Sequence, residues 1–152
     1  MFRIAGSIIA ATILSLTLSL AVTGCSSDSN TNMDAGPTTC DLAGAEAVFT
    51  AKCTGSGCHN ATEKTSGLDL TAGPNLAMRL VGVMPNATVS FLCGSSTMPY
   101  LTAHTSPATG LLLNKISSAT PSCGARMPFG QAALSTSDIN CIQTWANSVT
   151  SP

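Results

Sequence analysis

Cys53-Thr54-Gly55-Ser56-Gly57-Cys58-His59 follows directly on the run from Asp41 to Lys52, DLAGAEAVFTAK. Together the two stretches set the character of the chain. The run predicts a helix: Asp41 is a residue of N-cap type, and Leu42, Ala45, Val48 and Phe49 recur every three or four positions as an apolar stripe. Gly55 and Gly57 then break the pattern. Two thiols and an imidazole therefore sit in a glycine-rich loop at the end of a helix.

Working outward, the remaining order is helical where it is periodic and irregular elsewhere. Residues 60–75 read as loop, punctuated by Gly67, Gly73 and Pro74. Asn75 to Val81 predicts a short helix with Leu76, Leu80 and Val81 on one side. Val83 to Pro107 is irregular, with Val89, Phe91 and Leu92 as a short buried or β-like segment. Ala108 to Ile116 predicts a helix through Leu111, Leu112 and Ile116, and Pro121 to Gly130 a loop. Ser135-Thr136-Ser137-Asp138 has the form of a capping box, and Ile139, Ile142, Trp145 or Ala146, and Val149 follow at helical spacing. The expected fold class is mostly α, a small helical domain with long loops.

The first 24 residues stand apart from that domain. Arg3 precedes an apolar run through Ile8, Ile9, Ile13, Leu14, Leu16, Leu18 and Leu20, which ends in Val22-Thr23-Gly24-Cys25. This resembles the lipobox of bacterial lipoproteins, which implies a signal peptide over 1–24, cleavage after Gly24 and lipidation of Cys25. The alternative is an uncleaved anchor, for which a run of roughly 18 residues is marginal. Ser26 rather than an Asp after the cysteine points to the outer membrane, so the expected location is the cell envelope. Residues 25–39 are polar and form a flexible tether, and 40–152 form the domain. Cleavage removes Arg3 and leaves five basic against seven acidic residues, a net charge of −2. Without a basic patch, nucleic acid is not an expected partner.

Seven cysteines become six once Cys25 takes the lipid. In an oxidising compartment unpaired thiols do not persist. Two cysteines followed at once by a histidine are also the attachment signature of a c-type haem, in which the thiols form thioethers and the imidazole binds iron. The usual spacer has two residues and this one has four, with Gly55 and Gly57 supplying freedom. Haem attachment at Cys53 and Cys58 leaves four cysteines and three possible pairings; without haem, six allow fifteen.

The order of these features resembles a monohaem class I cytochrome c. Phe49 lies four residues before the first attachment cysteine. Gly67-Leu68-Asp69-Leu70, Leu113-Asn114-Lys115-Ile116, Arg126-Met127-Pro128 and Leu134-Ser135 leading to Trp145 are similar to the planctomycete-type cytochrome c domain of exported bacterial proteins. The resemblance covers about Cys40 to Val149. It implies one covalent haem c, with iron held by His59 on the proximal side and Met127 on the distal side. It also implies contact between the first and last helices through Phe49 and Trp145, and electron exchange with a redox partner protein. Under the same reading Cys123–Cys141 and Cys40–Cys93 are the expected disulfides. Arg79, Lys115 and Arg126 are candidate partners for haem propionates.

Other readings stay open. Met84, Met98 and Met127 are all possible gap-fillers, and His104 is a second imidazole in a polar loop. Cys53, Cys58 and His59 with a fourth ligand would suit zinc. The chain has no nucleophile motif and no paired carboxylates, so an electron-transfer protein is expected rather than an enzyme, with a small haem peroxidase or sensor as the weaker variant. The main alternative is a haem-free lipoprotein stapled by disulfides, acting in binding or structure.

Overall fold

A computed structural model describes residues 37–90 and 92–150. The expected signal peptide, the lipidated Cys25 and most of the tether lie outside the described residues, as does Phe91. Four α-helices follow in order: α1 (Leu42–Lys52), α2 (Leu76–Leu80), α3 (Leu111–Ser117) and α4 (Thr136–Thr150), with a 3₁₀ turn at Thr65–Gly67. Among the described residues there is no named strand; Val81 and Leu101 form an isolated parallel bridge. The domain is mostly helical with long connections. None of its described helices is long and apolar enough to cross a membrane.

α1 begins where its cap dictates. The Asp41 carboxylate accepts from the Gly44 N–H at 3.1 Å, satisfying a donor that the first turn leaves open. Gly44, Ala45, Val48 and Phe49 are buried, whereas Leu42, expected in the stripe, is 37 % exposed. α4 is capped by Ser135, whose hydroxyl oxygen accepts from the Asp138 N–H at 3.1 Å. The Asp138 carboxylate accepts in turn from the Ser135 hydroxyl at 2.8 Å. Cys141, Ile142, Trp145 and Ala146 form the buried face of α4. α1 packs on α4 through Phe49 and Trp145, whose rings meet edge to face at 6.0 Å and 81°.

The middle of the chain is placed by hydrogen bonds rather than by periodicity. Leu101 N–H donates to Leu80 O at 3.0 Å and Gly82 N–H to Leu101 O at 2.8 Å. Leu111 and Leu112 N–H donate to Pro99 O and Tyr100 O at 2.8 and 3.0 Å. The start of α3 is thereby seated on the 99–101 segment, and Gly110 allows this because a side chain there would strike Tyr100 and Leu101. α3 accordingly starts at Leu111 rather than Ala108. Ala108 instead donates its N–H to the Asn147 amide oxygen of α4 at 2.7 Å. The expected buried segment near Val89 is not formed: Val89 and Leu92 are 50 % and 71 % exposed.

The disulfide pattern differs from expectation. Cys93 is bonded to Cys123, with Cα atoms 5.4 Å apart. This replaces the expected Cys123–Cys141 and Cys40–Cys93 bridges. The reason is local: Lys115 Nζ donates to Cys123 O at 2.9 Å and approaches Cys93 Sγ at 3.7 Å, so both loops converge on the end of α3. Cys40 and Cys141 are thiols.

Candidate functional site

α1 delivers its last turn directly into the Cys53–His59 loop. Cys53 N–H donates to Phe49 O at 2.7 Å, closing the helix, and His59 N–H donates back to Cys53 O at 3.0 Å. The loop between them is internally bonded. Glu63 accepts from Gly57 N–H and from the Asn60 amide, both at 2.6 Å. Thr65 N–H donates to Cys58 O at 3.1 Å, and the Thr65 hydroxyl donates to Gly57 O at 2.9 Å. Gly57, at φ 76°, occupies a backbone region that favours glycine. The four-residue spacer is thus absorbed as an ordered loop.

His59 is fixed at both its backbone and its ring. Its carbonyl accepts from Leu70 N–H at 2.8 Å, and its Nδ1 lies 2.9 Å from Thr65 O. A carbonyl only accepts, so Nδ1 carries the hydrogen of the neutral ring and Nε2 keeps its lone pair. Such an anchored imidazole is what a metal-binding histidine requires. Burial lowers the His59 pKa, and the positive charge of Lys115 adds to this, against bonds to the Thr65 and Leu68 backbone that raise it.

A cavity of about 290 Å³ opens beside this ring, near the lower end of the range for small-molecule pockets. Cys53, His59, Leu68 and Leu70 form its wall on the α1 side; Leu111, Leu112, Lys115 and Ile116 of α3, with Tyr100, form another. Met127 and Phe129 contribute from the 121–130 loop, and Val89, Ser90, Leu92 and Cys93 from the irregular segment. The lining is predominantly apolar, with the imidazole, the Met127 thioether and few other polar groups. Met127 is held on α3 by its N–H, which donates to Lys115 O at 2.9 Å.

Three of the four expected cofactor residues, Cys53, His59 and Met127, line this one cavity. Cys58 is buried in the adjoining loop and is not part of the lining. It is also disulfide-bonded, and not to Cys53, which is a thiol. Burial, with Asp138 in second place, pushes the Cys53 thiol up to about 12. His104 is exposed and Met84 is 45 % exposed, and neither lines the cavity; nor does Met98. Arg79 is committed elsewhere, donating from Nε to Asp69 O at 3.2 Å and from Nη2 to Thr71 O. Among the described residues no three His, Cys, Asp or Glu side chains gather as a metal site, so the zinc alternative lacks its cluster. Leu68, Leu70, Ser90 and Tyr100 were not among the expected site residues. Gly67-Leu68-Asp69-Leu70 was the signal for the first two, since Leu68 and Leu70 alternate inward about an outward Asp69.

No protein-family model, curated protein or solved structure matches the chain.

Proposed function

We propose that the chain is a lipid-anchored monohaem c-type cytochrome, a carrier of single electrons in the bacterial cell envelope. The observation behind this reading is the convergence of an anchored His59 and Met127 on one apolar cavity that Cys53 also lines. The donor set suits haem: an imidazole anchored through Nδ1, a thioether and a neighbouring thiol, enclosed by aliphatic walls. Bound there, haem would supply an iron that cycles between ferric and ferrous.

The chain's own residues would do the rest. Cys53 and Cys58 would hold the group by thioethers, His59 would ligate on the proximal side and Met127 on the distal side. Leu68, Leu70, Leu111 and Leu112 would exclude water. A Met/His pair raises the potential relative to two imidazoles. Thioether formation requires Cys58 as a thiol, so its disulfide must be reduced before attachment.

The test is covalent retention. The full chain, exported in cells carrying haem-maturation machinery, is denatured and examined by mass and by pyridine haemochrome spectrum. Haem that stays with the unfolded chain supports the proposal. Its absence, where a control cytochrome matures in the same cells, overturns it. The disulfide at Cys58 favours a second reading, a haem-free lipoprotein whose cavity serves in binding; a haem-free mass with Cys58 still oxidised supports that one.

A further inference from the structure

Two cysteines outside the cavity meet where the chain enters α1. Cys141, in the middle of α4, is fully buried, and its Sγ lies 3.1 Å from Thr39 O, the carbonyl of the peptide that leads into Cys40. Cys40 follows that carbonyl directly, and Cys40 and Cys141 are both thiols. Position 44 makes this approach possible, because a Cβ on Gly44 would strike the Thr39 carbonyl and stand 3.1 Å from Cys141 Sγ. The strand of chain carrying Cys40 is itself held in place. The Thr39 hydroxyl donates to the Asp41 carboxylate at 2.9 Å, and that carboxylate caps α1.

We infer that Cys40 and Cys141 form a disulfide, a clasp that fastens the start of α1 to the middle of α4. The bond would close on the two helices that hold Phe49 against Trp145 and would steady the helix that ends at Cys53. The oxidant is a disulfide compound such as oxidised glutathione. Cys40 is exposed and is the thiol such a compound can reach. Its thiolate attacks one oxidant sulfur and expels the other as a thiolate. Cys141 then attacks Cys40 Sγ, forming the protein disulfide and expelling the second thiolate. The two cysteine protons end on the two released thiols, and the oxidant takes up the two electrons. Burial, then contact with Cys40 and the Asp41 and Asp138 carboxylates, pushes the Cys141 thiol up, consistent with Cys40 reacting first. The inference does not depend on haem.

The sequence allows a clean test. Trypsin cuts after Lys52, Lys64, Arg79, Lys115 and Arg126, which places Cys40, Cys93, Cys123 and Cys141 in four different peptides. The purified full chain is incubated natively with oxidised glutathione, its remaining thiols are alkylated, and it is digested without reduction. The expected product joins the peptide ending at Lys52 to peptide 127–152 through Cys141, with fragmentation placing the bond at Cys40 rather than at Cys25, which the same peptide carries. Reduction should separate the pair, and a Cys40→Ser variant, with the other bridges kept, should melt roughly 10 °C below the oxidised wild type. Alkylated Cys40 and Cys141 beside an intact Cys93–Cys123 link would overturn the inference. So would a Cys40→Ser variant in which Cys141 still joins a different cysteine.

Discussion

Met127 is tied to the end of α3 through its backbone, which leaves its side chain as the variable part of the cavity wall. Met127→Ala should therefore keep the fold, at a cost below about 2 kcal/mol for a half-buried side chain. In the haem-loaded protein the same change should lower the reduction potential and alter the axial-ligand spectrum; an unchanged spectrum would remove Met127 from the iron. Asp69 sits between Leu68 and Leu70, two residues of the cavity wall. Burial alone would raise its carboxyl, but the Thr71 N–H at 2.9 Å, Arg79, and Lys64 at 3.6 Å outweigh this and hold it below 3.8. A carboxyl lowered in the folded state contributes stability above its unfolded pKa, and that contribution is lost as pH falls through the folded value. Asp69→Asn should thus cost about 1 kcal/mol near neutral pH. Urea midpoints of variant and wild type should converge as the pH falls through the lowered folded-state pKa of Asp69. A gap that persisted there would mean the loss is steric.

The elements differ in how far the sequence alone revealed them, and the difference is physical. α1 and α4 carry both a cap and an apolar period, so Asp41 and Ser135 mark their starts to the residue. α3 carries the period without the cap: Ala108 lies in the apolar run but is drawn off by Asn147 and Gln143 of α4. The Val89 segment has the composition of a strand, but Val89 and Leu92 are exposed. Disulfide pairing was not legible, because it depends on which loops converge, and here Lys115 gathers Cys93 and Cys123. Two substitutions probe the α1–α4 pairing. Ser135→Ala should lower stability by about 1 kcal/mol, read as a Tm drop of roughly 4–8 °C. Phe49→Ala, which empties a fully buried site against Trp145, should cost about 3–5 kcal/mol. That is a large share of a small domain's stability and should appear as lost near-UV signal from Trp145. If the two costs proved equal, Phe49–Trp145 would not be the centre of the packing.

At the scale of the molecule, the Cys53–His59 loop was recognisable by residue type, but its cavity was not. The walls come from α3, from Tyr100 and from irregular chain between 89 and 93, which no period announces. What the sequence adds beyond the described residues is an expected means of attachment. No described helix is long and apolar enough to cross a membrane, and the N-terminal segment is where the sequence leads one to expect an attachment. The two readings of that segment make opposite demands. A lipidated Cys25 holds the chain by acyl burial, worth about 0.8 kcal/mol per CH₂ and stable once more than one chain inserts. An uncleaved apolar run holds it without Cys25. Cys25→Ala should therefore move the protein from the membrane fraction to the soluble envelope fraction. Wild-type protein should resist high-salt and carbonate washing of the membranes, since its net charge of −2 after cleavage offers no electrostatic hold on anionic lipid. A Cys25→Ala protein that stayed in washed membranes, with residues 1–24 still present by mass, would establish the anchor instead of the lipid.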